Sequence, residues 1–188
     1  MNKKYLALFD LDGTLFDTGL VNYYAYKEAL ERLDIPFDKE YFVTSCNGKH
    51  YKEFLPVIMG DKATDDNIEM VHSLKKEAYK KHLDKAKINT HLFNMIRSIR
   101  DTYHIALVTT ASKKNVKDII NYYNYENLFE YMVTQEDITK TKPNPQGFLI
   151  AMDYFNMSPE QTIIFEDSDV GVKAALATGA SVYRITQF

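Results

Sequence analysis

One cysteine, Cys46, stands among 188 residues. An internal disulfide is therefore impossible, a thiolate metal cluster is not expected, and the residue reads as an inert small side chain. Long apolar runs are missing as well. The run YLALF behind Lys3 and Lys4 is cut at Asp10, short of the roughly 7 to 15 residues of a signal-peptide core. No stretch approaches the about 18 apolar residues that a membrane span requires. Charge of one sign is not in excess: a net charge of −3 gives no ground for a nucleic-acid or membrane partner. Internal repeats and low-complexity tracts are also lacking. A cytoplasmic protein is the expectation.

What is present is ordinary for a globular chain: 45% hydrophobic and 26% charged residues, at a length that supports one domain with a small inserted module. Tyr5–Phe9 is a short apolar segment closed by acids and Gly13, which fits a buried strand. From Gly19 to Leu83 the pattern turns helical. Val21, Ala25, Ala29 and Leu33 lie along one helix face, and Ile68, Val71, Leu74 and Ala78 along another. Asp66 with Glu69 resembles a capping-box start. Pro36, Gly48, Pro56 and Gly60 break the region into shorter pieces.

After about Lys87 helices and strands alternate. The expected order is helix 91–100, strand 104–109, a helix capped by Ser112, strand 131–134, helix 145–155, strand 162–165, a helix stopped by Gly179, and strand 181–185. Such alternation implies an α/β fold, a parallel sheet covered on both faces. The helical stretch is inserted after the first strand.

In such a sheet ligands gather at the carboxyl ends of the strands. Those ends deliver Asp10 and Asp12, then Thr109 and Thr110, then a loop with Lys140 and Lys142, and finally Glu166, Asp167 and Asp169. Two ionised carboxylates about 4 Å apart repel by roughly 4 kcal/mol at an effective dielectric near 20. A hard divalent cation removes that penalty, and Mg²⁺ binds through few carboxylates while keeping room for a phosphate oxygen. Beside it a carboxylate can attack phosphorus, and a second acid two residues on can serve the leaving oxygen and then the attacking water. Lys142 would offset charge, and the Thr109 hydroxyl with the helix start near Ser112 would bind phosphate oxygens. Each residue taken singly also has a plain reading: a strand-end threonine, a surface lysine, an N-cap acidic cluster.

Taken together, FDLDGTLFDT, IALVTTAS, KPNPQGF and IIFEDSDVGVKAALATGA resemble the four motifs of the haloacid dehalogenase-like (HAD) hydrolase superfamily, over nearly the whole chain. The resemblance implies a Rossmann-like core of residues 1–17 and 88–188 and a mobile helical cap of residues 18–87, as in phosphoglycolate phosphatases and β-phosphoglucomutases. It implies Asp10 as nucleophile, Asp12 as general acid/base, Thr109 on the phosphoryl group, and Lys142 paired with Asp10. Mg²⁺ would be held by Asp10, the backbone carbonyl of Asp12, Asp167 and Glu166. Specificity would come from the loop carrying Gly48, Lys49 and His50, for which a solvated helix start is the plain reading.

Departures narrow the branch. The dehalogenases lack the second aspartate, and Asp12 is present. The histidine that β-phosphoglucomutases carry four residues after the DT threonine is replaced by Asn22. Tyr51 stands three residues after Gly48, where mutases have arginine and phosphonoacetaldehyde hydrolases have lysine. The linker before His91 lacks the proline and glycine common at the second hinge. The expectation is a Mg²⁺-dependent phosphatase of a small phosphate ester. A sugar phosphomutase, a pyrophosphatase and a non-catalytic phospho-ligand module stand as alternatives.

Overall fold

The computed structural model describes residues 3–188. In chain order the elements are β1 (Tyr5–Phe9), β2 (Phe16–Asp17), α1 (Gly19–Glu31), α2 (Lys39–Tyr41), α3 (Tyr51–Met59) and α4 (Asp65–Tyr79). There follow β3 (Lys87–Ile88), α5 (Thr90–Ile99), β4 (Tyr103–Val108), α6 (Lys113–Tyr122) and β5 (Tyr131–Val133). The last are α7 (Gln146–Phe155), β6 (Thr162–Glu166), α8 (Asp169–Leu176) and β7 (Ser181–Arg184). The chain divides into two compact units, one running to Asp17 and resuming over Lys87–Phe188, the other Thr18–Ala86. Lys87 lies with the first unit because it is the register partner of Asp17 in the antiparallel β2–β3 pair.

The first unit is the expected α/β fold: a parallel five-stranded sheet in the order β5-β4-β1-β6-β7. Because side chains alternate along a strand, Leu6 and Leu8 enter one apolar cluster with Val108, Phe148 and Met152, which also takes in Ala174 and Ala175 of α8. On the other face Phe9 stacks on Phe165 at 4.6 Å. The helices α5 and α6 bury Phe93, Ile96, Val116, Ile119 and Ile120. Phe16 lies against Phe93 and Tyr123, and Phe93 stacks on Tyr125 at 3.9 Å, so these clustered tyrosines pack. The connection order reverses between β1 and β6, both of which are central, and a ligand crevice belongs at the carboxyl end of that pair.

In the second unit α1 packs along α4 around Tyr26, Leu30, Phe42, Phe54, Leu55 and Val71. Cys46 is buried in this core, and burial pushes its thiol above the ordinary range. Two local expectations are corrected. The cap of α4 is Thr64, whose side chain accepts from the Asn67 amide; Asp66 is inside the first turn and Glu69 bonds Tyr51 instead. Pro56 does not end a segment but lies inside α3, where it removes one backbone donor. Gly60, at φ +52°, ends that helix.

Candidate active site

The site is built where β1 and β6 stop. The Asp10 amide continues the ladder by donating to Phe165 O at 3.0 Å, which fixes Asp10 beside Glu166. The chain then turns tightly: the Leu15 and Phe16 amides both donate to Leu11 O, and the Gly13 amide to Phe16 O at 2.7 Å. Gly13 has φ +88°, a conformation that glycine adopts without penalty. Space demands glycine as strongly, since a Cβ here would lie 2.1 Å from Asp167 Oδ2. The neighbouring Thr14, fully buried, donates its hydroxyl to Asp167 Oδ1 at 3.0 Å.

At the end of β6, Ser168 caps α8 by accepting from the Gly171 amide, and its hydroxyl lies 3.2 Å from both Glu166 oxygens. Gly171 leaves the space that the Glu166 carboxylate fills, for a Cβ there would stand 1.9 Å from Oε2. Asp169 takes no part in this cluster; it pairs with Arg184 at 2.7 Å. Lys142 reaches in from the loop before α7, its Nζ 2.5 Å from Asp10 Oδ1 and 3.2 Å from Glu166 Oε1. Lys140 is exposed, and its amide donates to Gln146 Oε1. Thr109 is buried, with its hydroxyl accepting from the Ala111 amide at 3.0 Å, whereas Thr110 is exposed.

Asp10, Glu166 and Asp167 each offer a carboxylate oxygen within 4.8 Å of the others. The Asp12 carboxylate is not one of the three, and the resemblance assigns it to the metal only through its backbone carbonyl. Burial is the main force raising the Asp10 carboxyl well above its ordinary value; Lys142 opposes it, while Glu166 and Asp12 add to it. Burial likewise raises Glu166, against Lys142, and Asp167, against the Thr14 hydrogen bond. Lys142 is also shifted upward: burial works against its charge, but Asp10 and Glu166 prevail. Three acids facing one ammonium leave negative charge uncompensated, and all the donors are hard oxygens. This set suits Mg²⁺ or a similar cation, not a thiophilic one.

Gly48, Lys49 and His50 belong to the second unit, in the exposed turn before α3. His50 accepts from the Lys52 amide as N-cap, and Tyr51 stacks on His72 at 3.7 Å while its hydroxyl bonds Glu69. The sequence reading did not single out Thr14, Ser168 and Gly171 for the acidic site. Their signal lay inside the first and fourth motifs, but side-chain contact between Thr14 and Asp167 spans 153 positions and has no local signature.

The family model described as "Haloacid dehalogenase-like hydrolase" matches residues 7–185, and the chain belongs to that family of enzymes. It is 27% identical over 177 residues, 92% of this chain and 81% of the relative, to the Phosphorylated carbohydrates phosphatase of Thermotoga maritima. It is 27% identical over 189 residues to the Beta-phosphoglucomutase of Bacillus subtilis, covering 96% of this chain and 83% of that one. The structure of CbbY from Rhodobacter sphaeroides in complex with phosphate superposes with a TM-score of 0.83 at 22% identity, over 98% of this chain and 87% of that chain, a likeness of fold. Mg²⁺ is the general cofactor of HAD hydrolases.

Proposed function

We propose that this protein is a Mg²⁺-dependent phosphatase that hydrolyses a small phosphorylated sugar through an aspartyl-phosphate on Asp10. The observation that carries the reading is the convergence on Asp10 of Lys142, Glu166 and Asp167 at the end of β1. The Thermotoga relative's name supports phosphorylated carbohydrate as the substrate class.

Asp10, Asp167, Glu166 and the backbone carbonyl of Asp12 would hold the ion, which supplies charge neutralisation for the acids and the phosphoryl oxygens. Lys142 holds one Asp10 oxygen, orienting the carboxylate as a nucleophile and offsetting its charge. An Asp10 oxygen forms a bond to phosphorus as the bond from phosphorus to the ester oxygen breaks, and Asp12 gives its proton to that departing oxygen. Asp12, now a carboxylate, takes a proton from water as the water attacks the acyl phosphate, releasing inorganic phosphate and restoring Asp10. The Thr109 hydroxyl and the start of α6 bind phosphoryl oxygens. The helical unit acts as a cap, with Gly48, Lys49 and His50 selecting the leaving group. Asn22, which donates to the Thr18 hydroxyl at 3.2 Å, and Tyr51, engaged with Glu69 and His72, favour hydrolysis over mutase chemistry.

Asp10→Asn tests the reading. Its kcat on a phosphate ester falls on the order of 10³-fold or more, with folding retained by circular dichroism. Retained turnover would overturn the nucleophile assignment. A panel of sugar phosphates assayed for inorganic phosphate separates a phosphatase, which releases it stoichiometrically, from a mutase, which keeps it on the sugar.

A further inference from the structure

Asn89 has no place in the chemistry above, yet it is buried at 4% exposure beside the loop that carries the acids. The chain re-enters the first unit at Lys87, and two residues on it meets Asn89, the N-cap of α5. Asn89 uses every polar group available there. Its side-chain oxygen accepts from the Leu92 amide at 3.2 Å, its side-chain amide donates to Thr14 O at 3.2 Å, and its backbone amide donates to Leu15 O at 2.9 Å. The Thr14 hydroxyl in turn donates to Asp167, and Gly13 lies against the same carboxylate. A helix cap alone requires only the acceptor. The two donated bonds go instead to consecutive carbonyls of the turn between Asp12 and Phe16.

We propose that Asn89 is a positioning residue: it clamps the Gly13–Leu15 turn and so sets, through Thr14, where Asp167 stands to meet a cation. This rests on the reading of Asp10, Glu166 and Asp167 as the metal site.

Asn89→Asp is the informative variant. It keeps the cap acceptor for Leu92 and removes the donor to Thr14 O, so capping and positioning come apart. Mg²⁺ affinity, measured calorimetrically without substrate and well below the unfolding temperature, falls about tenfold, the low end for residues that orient a metal ligand through a hydrogen bond. Thr14→Val, which removes the direct bond to Asp167, gives an equal or larger loss. Asn89→Ala shows the same Mg²⁺ defect and lower stability as well. Should Asn89→Asp bind Mg²⁺ like the parent while Thr14→Val is impaired, the positioning role is wrong and the metal site stands. Should Asp167→Asn bind Mg²⁺ undiminished, the metal-site reading falls and the proposal with it. If Asn89→Asp does not fold, amide exchange in the unaltered protein decides. Saturating Mg²⁺ slows exchange of the Leu92 amide several-fold if the clamp is coupled to Asp167, and an unchanged rate overturns the proposal.

Discussion

Gly171 determines the position of a charge by having no side chain of its own. The Glu166 carboxylate occupies the space where a methyl group would go, and it is this buried carboxylate, held by Lys142 and Ser168, that would have to yield. Gly171→Ala is therefore expected to displace Glu166 and weaken Mg²⁺ binding by about 10- to 100-fold, read by calorimetry, with the helix content of α8 unchanged by circular dichroism. Gly13 stands in the same relation to Asp167 but adds a positive φ, so its substitution should also destabilise the turn. Asp167 carries an opposite expectation for the metal-free protein. Its folded carboxyl is raised, chiefly by burial, so the folded state binds its proton more readily than the unfolded state. Metal-free stability should then fall as pH rises from the ordinary carboxylate value through the raised one. Asp167→Asn removes its own share of that slope, leaving those of the likewise raised Asp10 and Glu166, while keeping an acceptor for Thr14. Above the window, thermal melts in chelator should show the variant more stable than the parent, and the difference should vanish at low pH.

At the scale of elements, the start of α4 separates a sequence pattern from the group that satisfies the helix. Asp66 and Glu69 fit a capping box by spacing, but Thr64 takes the cap because its side chain accepts from Asn67. This leaves Glu69 to receive Tyr51 and Lys52. Thr64→Ala should lower stability by about 1 kcal/mol in urea unfolding, and Asp66→Ala by clearly less. In the same helix His72 sits between the Tyr51 ring and the Tyr26 hydroxyl. Burial, aided by Lys76 and Lys75, lowers its pKa to about 4. It is neutral at neutral pH, and because the unfolded chain binds a proton at higher pH, its contribution to stability is present above the unfolded pKa and is lost as pH falls toward 4. Acid titration of His72 by NMR should show this low midpoint, and His72→Gln should flatten stability over the same range.

For the whole molecule the central quantity is how far the cation compensates the acids. A ligand that binds only the folded protein stabilises it by about 2.7 kcal/mol at a hundredfold excess over Kd, equivalent to roughly 5 to 10 °C at this size. Mg²⁺ should raise the melting temperature by about that much, EDTA should reverse it along with turnover, and Asp167→Asn should abolish the rise. No helix among the described residues is long and apolar enough to cross a membrane. Fixed packing in each unit, with Phe9 on Phe165 in one and Tyr26 against Phe54 in the other, gives each unit its own apolar core.

The sequence by itself determined the parallel α/β sheet, because strand and helix periodicities are local and alternate cleanly after Lys87. It also named Asp10, Lys142, Glu166 and Asp167 as candidates for one crevice, since strand ends of a parallel sheet share an edge. Only the tertiary structure decided which acids meet. Asp169, two positions from Asp167, goes to Arg184, and that choice turns on how α8 leaves β6. It alone revealed the supports, too: Thr14 on Asp167, Ser168 and Gly171 around Glu166, and Asn89 on Thr14. These are hydrogen bonds and voids between segments as much as 153 positions apart, and such contacts leave no periodicity in the chain because they depend on where folded backbones come to lie.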